Sequence, residues 1–472
     1  MTDERDLRPD HEMDGRVSTW LTDTDLAPDE ANAGLDRLLD EFPVTPQTRR
    51  RLLGRWLDRD EGAGRRTTEH DHPLNTNRRT RLMLSATGIT AALAIIALSV
   101  NVIDTSPAPP PGAVADADHT VAADGSGHFT TIGEAVAAAV DGDTIAILPG
   151  TYTEAVVVDK DLTIHGEGPR DEIVVTAPED GPEWEVDYSW MSRSPYAIAV
   201  SGADVLLRDL TLAGLTSHLF VDNGSSVVEN VLFDGIGLQY GDTGPEDTCG
   251  VVINDETTVS VSHSLFEAGA GLCVFGAATI ERNELTDGAS IAGVFGPGSS
   301  ITANHIHGKG DLGIILLGDS AVTISDNTIA DRKKAIAPGD GVSLTSESTL
   351  DIARNSIEGA RLGIYIPRNV NASVVQNIVA LSEIGIDLAA NDSLLERNGL
   401  SRNETGIHIV SGAPTLDFND IEGNVVGVSL IGTTEPTFSS NTFCANETDV
   451  MSTRDELPDR SSDLSCDDAT AE

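Results

Sequence analysis

The chain carries a regular repeat between Gly250 and Asn441. In each copy a glycine precedes a short segment in which apolar residues alternate with other residues. We place the copies at Gly250, Gly271, Gly293, Gly313, Gly341, Gly363, Gly385, Gly406 and Gly427, so that successive differences are 21, 22, 20, 28, 22, 22, 21 and 21. Such a period means that each repeat is one supersecondary unit, which buries its apolar face only against its neighbours.

Asparagines recur in phase with these glycines. They stand at Asn283, Asn304, Asn327, Asn355, Asn377, Asn398, Asn419 and Asn441, with steps of 21, 23, 28, 22, 21, 21 and 22. Because an amide both donates and accepts, stacked asparagines are predicted to bond along the repeat axis, and His263 and Asn230 to take this position earlier. The long step of 28 falls in the same repeat of both series, so one coil carries an insertion.

Two architectures share this repeat length, the leucine-rich repeat and the parallel β-helix. The copies lack a regular leucine frame with a helical segment. In 321–329, Val322, Ile324 and Ile329 can point inwards while the residues between them point outwards, which is the period-2 pattern of strands. We therefore predict an all-β fold, a parallel β-helix solenoid whose coils stack about 4.8 Å apart.

Net charge narrows the class of partner. The formal charge is −46, and residues 104–472 hold 58 acidic and 16 basic residues, which gives −42. So negative a region repels nucleic acid and anionic lipid surfaces, and neither is a predicted partner of it.

The four cysteines are Cys249, Cys273, Cys444 and Cys466. None forms a C-x-x-C pair, which argues against a zinc site. Cys249 and Cys273 occupy different positions relative to their repeat glycines, so no bridge between them is assumed. A Cys444–Cys466 disulfide that closes the end of the solenoid and free buried thiols are two open alternatives.

The N-terminal region predicts a membrane anchor. Residues 1–81 are polar, contain three short helical patterns and are interpreted as a cytoplasmic helical or disordered region that could bind a protein partner. Residues 82–103 contain no charge, follow three arginines and are long enough to cross the bilayer, with the N-terminus inside. A signal peptide ending near 113–115 is the alternative.

The remaining chain divides into three predicted parts. Residues 104–116 form a Pro/Ala-rich linker, 117–448 the β-helix and 449–472 an acidic C-terminal tail. Thr131 and Glu134 form a predicted capping box before a short helix with Ile132, Val136 and Val140 on one face, which would cover the open N-terminal end of the solenoid.

The opening of the β-helix region resembles known proteins. The segments 124–132, 141–145 and 149–154 resemble the start of right-handed parallel β-helix proteins of the pectin lyase-like superfamily, namely pectin methylesterases and NosD-like periplasmic proteins. With the later coils, the resemblance covers about 117–448. It implies a right-handed parallel β-helix, but this superfamily contains lyases, hydrolases, esterases and binding proteins.

The catalytic motifs of these enzymes are missing. The Gly150-x-Tyr152-x-Glu154 segment resembles pectin methylesterases, but the sequence lacks their Q-A-V, D-F-I-F-G and L-G-R-P-W segments. The blocks of polygalacturonases are missing too, and no arginine stands in a recognisable pectate-lyase site. This favours a protein without catalytic activity; if it is an enzyme, we expect a polysaccharide lyase or glycoside hydrolase with unknown catalytic residues.

Aromatic residues concentrate in two insertions. Trp184, Tyr188, Trp190 and Tyr196 lie within thirteen residues, and Tyr240 lies in the next insertion, 238–248. With the 331–340 insertion, both are predicted to enter before the first strand of a repeat and thus to share one edge, which is often the binding face of a solenoid. Aromatic rings can stack on sugars, and carboxylates such as Asp187 and Asp242 can bind hydroxyls or calcium. The alternative is a loop whose aromatic residues fold back onto the solenoid.

Metal binding has weaker support. His305 and His307 could point outwards beside the asparagines, and the NosD resemblance implies copper, but two histidines alone are a poor ligand set. No metal residues are therefore predicted. Calcium remains a candidate cofactor, although no D-x-D-x-D-G loop is present.

The predicted function is that of a membrane-anchored, extracytoplasmic scaffold or receptor that binds a polysaccharide or glycan. A polysaccharide-acting enzyme that uses carboxylates of the loop edge is the second hypothesis. A transmembrane sensor, which couples an outer ligand to a cytoplasmic regulator of residues 1–80, is the third.

Overall fold

The computed structural model describes residues 117–466 except 185–193, 215–216, 236–237, 240–247, 255–256, 339–343, 369, 390–391, 433 and 454–456. The predicted cytoplasmic region 1–81, membrane span 82–103 and linker 104–116 lie outside the described residues. Among the residues that are described, no helix has both the length and the apolar character needed to cross a membrane.

The elements up to the middle of the chain are numbered in chain order. They are β1 His119–Val121, α1 Ile132–Ala138, β2 Thr144–Ile147, β3 Gly150–Thr153, β4 Val156–Val158, β5 Leu162–Gly166, the 3-10 turn Arg170–Glu172, β6 Ile173–Thr176, β7 Glu183–Trp184, β8 Ser194–Arg208, β9 Thr211–Ala213, β10 Ser217–Glu229, β11 Leu232–Asp234, β12 Leu238–Gln239, β13 Thr248–Ile253, β14 Thr257–Ser262, β15 Leu265–Glu267, β16 Gly271–Val274, β17 Ala277–Glu281, β18 Glu284–Leu285, β19 Ile291–Gly293 and β20 Ser299–Thr302.

The elements of the second half continue the same series. They are β21 His305–Ile306, β22 Gly310–Leu316, β23 Ala321–Ser325, β24 Thr328–Ala330, β25 Arg332–Pro338, β26 Thr349–Ala353, β27 Ser356–Glu358, β28 Leu362–Ile366, β29 Ala372–Val375, β30 Ile378–Ala380, β31 Ile384–Leu388, β32 Leu394–Glu396, β33 Gly399–Ser401, β34 Thr405–Ile409, β35 Thr415–Asp417, β36 Asp420–Glu422, β37 Val426–Leu430, β38 Thr437–Ser439, β39 Thr442–Cys444, β40 Thr448–Ser452 and β41 Leu464–Ser465.

These strands form a parallel β-solenoid, which confirms the predicted all-β fold. A large sheet contains 27 strands and a small sheet contains 14, one for each coil. A typical coil has two strands in the large sheet and one in the small sheet, as in β22, β23 and β24. Each strand pairs with its equivalent in the next coil, for example Ile314 with Ile336 and Ile364 with Ile386.

The core runs along the inside of the coils. Alternate side chains of each strand point inwards, so Val322 and Ile324 of β23 are buried, and Ile329 of β24 is buried with them. The inward residues of all coils form one continuous apolar cluster from Val121 to Phe443. Since no coil can close this core alone, the stacking of coils stabilises the fold.

The predicted asparagine ladder is present and buried. From Asn283 to Asn441 the eight amides are at most 2% exposed. Each Oδ1 from Asn304 onwards accepts from both the backbone N–H and the Nδ2 of the asparagine one coil earlier, at 2.9–3.1 Å. Each Nδ2 also donates to a main-chain carbonyl, such as that of Val261 for Asn283. The ladder thus satisfies polar groups that the turn would leave unpaired.

Two ladder assignments were one residue off. Ser264, and not His263, occupies the ladder position, because its N–H donates to Asn283 Oδ1. Likewise Val231 stands there instead of Asn230, and its N–H donates to the Ser264 hydroxyl. His263 and Asn230 have φ of 52° and 53° and are the left-handed residues that precede the ladder.

A second, shorter ladder was not predicted. Asn403 and Asn424 bond in the same way at the following turn, through an Nδ2–Oδ1 contact of 3.0 Å, and Asn446 extends the series. Ser382 begins it by donating its N–H to Asn403. The spacings of 21 and 22 residues between these asparagines are present in the sequence, but three copies make a weaker periodic signal than the eight of the first ladder.

Two repeat copies were misplaced, at Gly293 and Gly341. Ile291 pairs with Ile314, so Ser290 and not Gly293 matches Gly313. Ile336 pairs with Ile314 and Ile364, so Ala335 holds the position that was assigned to Gly341. The extra residues therefore follow β25 instead of preceding it. Glycine also serves turns and bulges, and for this reason it marks the register imperfectly.

Helix α1 lies at the N-terminal end, as predicted. Thr131 accepts from the Glu134 N–H at 3.2 Å, and Ile132 and Val136 are buried. Val140 does not continue this face, because the helix ends at Ala138 and Val140 is 65% exposed. Lys160 Nζ donates to three carbonyls at the end of the helix, including that of Val136 at 2.8 Å, and so caps it.

The solenoid continues beyond the predicted end at residue 448. Strand β40 pairs with β37, and β41 pairs with β39. A disulfide joins Cys444 to Cys466, with Cα atoms 5.1 Å apart. The first part of the predicted acidic tail is thus the last coil, and the bridge ties it to the coil before.

Candidate functional site

Both aromatic insertions rise from short antiparallel stems. Strand β7 pairs with the start of β8 through Glu183–Pro195 and Trp184–Ser194. Strand β12 pairs with the start of β13 through Leu238–Cys249 and Gln239–Thr248. Every other pairing between the strands of the large sheet is parallel in the described residues, so these stems are local additions to the repeat.

The two stems lie at the same edge of the large sheet. Strand β8 pairs with β10, and β10 pairs with β13, so the stems are two coils apart, or about 10 Å along the axis. The third insertion does not share this edge. Strand β25 occupies most of the range 331–340 that was assigned to this insertion, so the extra residues follow β25. They therefore lie at the opposite end of the parallel strands.

Most predicted ligand residues belong to the insertions themselves. Tyr188, Trp190, Asp187, Tyr240 and Asp242 lie outside the described residues, as does the side chain of Trp184, whose backbone belongs to β7. The structure thus brings together the stems that carry these residues. Their function as ligand-binding residues remains a prediction.

Tyr196 is part of a packed apolar cluster on the outer face of the large sheet. In β10 the side chains of Leu219 and Val221 point into the main core, whereas Phe220 between them points outwards. Tyr196 is 4% exposed and meets Phe220 edge to face, with ring centroids 6.4 Å apart. Burial raises the pKa of the Tyr196 phenol. The start of β8, where the first insertion joins the sheet, is therefore packed against buried apolar side chains.

A disulfide that the sequence did not predict joins Cys249 and Cys273 in the same cluster. The register between β13 and β16 shifts between Cys249 and Val251, which is a β-bulge. The bulge adds a residue and turns Cys249 to the face that carries Cys273. The positions of the two cysteines relative to their repeat glycines do not reveal the bulge. The disulfide links the start of β13, where the second insertion ends, to the next coil.

The Gly150-Tyr152-Glu154 segment has a structural role here. The Glu154 carboxylate accepts from the N–H groups of Ile132 and Gly133, at 2.8 and 2.9 Å, and so caps α1. The Tyr152 hydroxyl donates to the Leu148 carbonyl at 2.7 Å. These contacts hold the N-terminal cap in place, so the motif has a role in the fold.

A compact cluster of possible ligand atoms lies on the small sheet. Glu284 and His305 are paired neighbours in β18 and β21, and His307 follows two residues later on the same outer face. His307 Nε2 lies 3.0 Å from Glu284 Oε1, and the two imidazole rings stack with centroids 4.2 Å apart. One ligand atom from each residue lies within 4.8 Å of the other two. Glu284 was missed because it stands one coil away in sequence.

Arg332 fixes this cluster from within the solenoid. Its side chain is 2% exposed, and its Nη2 donates to the His307 carbonyl at 2.8 Å. Burial lowers the pKa of Arg332 to about 10, against the opposing effect of Asp287 and Asp331, so it stays charged at neutral pH. A Cβ at Gly310 would lie 1.7 Å from Nη1, so only glycine leaves room for this guanidinium.

Comparison with known families agrees with the fold. Residues 217–381 match the family described as right handed beta helix region. Residues 338–459 match the family described as periplasmic copper-binding protein (NosD). Each match covers less than half of the chain, and Glu284, His305 and His307 lie outside the second.

Individual proteins are similar at low identity. The crystal structure of tailspike protein 3 of bacteriophage CBA120 superposes with a TM-score of 0.51 at 15% identity, over 78% of this chain and 67% of that one. Pectin methylesterase PemA from Erwinia chrysanthemi gives 0.37 at 13%, over 52% and 90%. A probable pectinesterase/pectinesterase inhibitor of Arabidopsis thaliana is 35% identical over 137 residues, 27% of this chain, which spans only 25% of that relative. The superposition on the tailspike protein, together with the family match over 217–381, supports a right-handed parallel β-helix fold.

Proposed function

We propose that the protein binds a polysaccharide or glycan along the edge that carries the two stems, which we name the stem edge (183–195 and 238–249). The observation that carries this proposal is the common edge from which both insertions start, two coils apart, the first with Trp184, Tyr188 and Trp190 and the second with Tyr240. An elongated chain of sugars fits an elongated site that runs along a solenoid axis better than a compact pocket.

The base of the stem edge supports such a role. Tyr196 and Phe220 pack beneath it, and the Cys249–Cys273 disulfide fastens it to the next coil. A rigid base reduces the entropy that an ordered binding surface loses when ligand binds. Similarity to a pectinesterase over part of the chain adds a polysaccharide-related precedent, without its catalytic segments.

The first test is a glycan-array screen of the full chain in mild detergent, with and without calcium, at low and high salt. For a glycan that binds, we expect a Trp184→Ala, Trp190→Ala double variant to lose about tenfold or more in affinity, since each stacked ring contributes about 0.5–1.5 kcal/mol. Titration calorimetry measures the loss.

Phe418→Ala is the matched control. Phe418 is 53% exposed but lies far along the solenoid from the stem edge, so its removal should leave glycan affinity unchanged. Equal affinity of the double variant and the wild type would exclude the stem edge as the binding site. Failure of every glycan to bind would contradict the proposal itself and direct attention to a protein partner.

A polysaccharide-acting enzyme is the second candidate, favoured by the pectinesterase similarity. Chromatography of glycan recovered from the incubation separates the two. Intact glycan indicates a scaffold or receptor, whereas shortened or unsaturated products indicate a hydrolase or lyase. Single substitutions of stem-edge carboxylates, such as Asp187→Asn and Asp242→Asn, would then abolish turnover.

The proposed location is the outer side of a membrane, with 82–103 as the anchor in the bilayer and 1–81 in the cytoplasm. Two disulfides favour an oxidising compartment for the solenoid. In a sensor, ligand binding outside would change an inner contact made by 1–80. A truncation of these residues that preserves every phenotype would argue against that function.

A further inference from the structure

We propose that Glu284, His305 and His307 bind a divalent transition-metal ion on the outer face of the small sheet. This inference is independent of glycan binding at the stem edge. It rests on three potential ligands that two adjacent coils bring together, two through imidazole nitrogen and one through carboxylate oxygen.

The distances suit one ion. Two ligands bound about 2.0–2.1 Å from the same metal, at tetrahedral or octahedral angles, lie about 2.8–3.4 Å apart. The His307 Nε2–Glu284 Oε1 separation of 3.0 Å is in this range. His305 has its ligand atom within 4.8 Å of both, and its side chain is exposed, so metal binding requires only that this side chain rotate towards the other two.

The surroundings leave space for the ion and hold the strands still. Leu285 and Ile306 anchor their strands in the core, each fully buried. In the next coil Thr328 pairs with His305, and the short side chain of Ala330 lies at the end of the same strand. The Arg332 contact with the His307 carbonyl fixes the backbone at the second imidazole.

Two other histidines show what a purely structural pairing looks like. His408 Nδ1 lies 2.8 Å from Asp387 Oδ1 across adjacent coils, and His119 Nε2 lies 3.0 Å from Asp143. Each is a pair without a third ligand; in the described part of the chain, only the cluster of Glu284, His305 and His307 combines three such groups. The presence of a third ligand distinguishes residues that can chelate a metal ion from a pair that is only hydrogen-bonded.

The donor set selects the class of ion. Imidazole nitrogen suits zinc, copper, iron and nickel, whereas calcium prefers six to eight oxygens. Three protein ligands leave at least one position for water or an oxygen of another molecule. Glu284 is half exposed, with 53% of its side chain accessible, so such a molecule can approach from solvent.

The test is titration calorimetry of the full chain with Zn²⁺, with variants Glu284→Gln, His305→Ala and His307→Ala. We expect each variant to weaken one binding event by about tenfold or more, and their combination to remove it. His408→Ala, which removes an imidazole from a two-residue pair, should leave that event unchanged. Circular dichroism confirms that each variant is folded.

A second measurement identifies the ligands directly. Co²⁺ in place of Zn²⁺ should give a visible absorption spectrum that is lost in the His305→Ala, His307→Ala variant, and excess Ca²⁺ should not displace the ion. Zn²⁺ binding that persists unchanged in the triple variant would overturn the proposal. So would the absence of Zn²⁺ binding, or displacement of the ion by Ca²⁺.

Discussion

The same residue type has different roles at different coil positions. His307 points outwards and contacts a carboxylate, whereas His218 occupies the position of a repeat glycine and is only 1% exposed. Leu219 pairs with Val251, so His218 matches Gly250 of the next coil. A Cβ at Gly250 would lie 2.8 Å from His218 Nδ1, so the imidazole uses the space that this glycine leaves.

Burial of His218 predicts a pH dependence of stability. Desolvation lowers its pKa from 6.5 to about 4, so the ring is neutral in the folded state. An unfolded chain binds this proton near pH 6.5. The contribution of His218 is therefore fully present above pH 6.5 and is lost as the pH falls towards 4. We expect the free energy of unfolding to fall by about 2 kcal/mol from pH 7 to pH 5 through this group.

The measurement is denaturant unfolding of the wild type and of His218→Gln between pH 7.5 and 5. Carboxylates titrate in both proteins, so the difference between the two curves isolates the imidazole. The variant should show the smaller loss of stability. His128→Gln, at an exposed histidine, serves as the control, and parallel curves for wild type and His218→Gln would contradict the argument.

At the scale of the element, one turn explains much of the repeat. The residue before each ladder asparagine is left-handed, with φ of 53–60° from Arg282 to Ser440, although none of these residues is glycine. This conformation costs roughly 1–2 kcal/mol per residue. From Asn304 to Asn441 each buried side-chain amide makes four hydrogen bonds, two accepted by Oδ1 and two donated by Nδ2, and these offset that cost, since each contributes about 0.5–1.5 kcal/mol.

Asn377→Ala tests the ladder. Asn377 is fully buried and bonds to Asn355, Asn398 and the Ile352 carbonyl. Its loss leaves buried partners unsatisfied, and we expect the free energy of unfolding to fall by about 2–4 kcal/mol, as each such group costs about 1–3 kcal/mol. Denaturant unfolding followed by circular dichroism measures the change.

Asn371→Ala is the matched control for this substitution. Asn371 is exposed and, among the described residues, accepts one hydrogen bond, from the Asp392 N–H at 3.0 Å. We expect a loss of less than about 1 kcal/mol. If the two variants lose equal stability, the buried ladder does not have the importance assigned to it.

The spacing of elements was predictable, but their register was not. Asparagine at the ladder has one structural role, so it marks the coils from 283 to 441 without error. Glycine has several roles, and Gly293 and Gly341 consequently misled the alignment of two coils. A β-bulge such as that at Cys249 leaves no periodic signal, which is why its disulfide was not predicted.

At the scale of the molecule, successive coils are interchangeable. Strands β31 and β34 have matching pairings, with Ile384 opposite Thr405 and Ile386 opposite Ile407. Deletion of residues 385–405 therefore joins equivalent positions and brings Asn377 above Asn419. We expect this shortened chain to fold with the same far-UV circular dichroism and a modestly lower Tm, because stability in a solenoid is nearly a sum over neighbouring coils.

Deletion of 395–405, about half a coil, is the control. It shifts the inward and outward residues of the following strands and breaks the ladder, so this chain should not fold. Thermal unfolding distinguishes the two deletions. If the 385–405 deletion behaves like the half-coil deletion, the coils are not interchangeable units.

The candidate sites were only partly predictable from the sequence. The common edge of the two aromatic insertions followed from their positions in the repeat, and the stems confirm that edge. The His305–His307 pair was visible, but its third member was not, because Glu284 comes near only when two coils stack. Contacts across coils depend on a register that a single-residue error would change.

The asparagine ladder also gives the solenoid a direction. In each asparagine the backbone N–H and one Nδ2 N–H donate to the Oδ1 of the next coil, whereas the other Nδ2 N–H donates to a main-chain carbonyl of the coil before. The contacts to Oδ1 therefore run in one direction along the axis. At their C-terminal end stands Asp463, which accepts from the Asn441 N–H at 2.9 Å and from its Nδ2 at 3.1 Å. A carboxylate receives these bonds but has no N–H with which to pass them on. The ladder thus ends at Asp463. A second molecule that approached this end would find no side-chain N–H donor through which the ladder could continue from one chain into another.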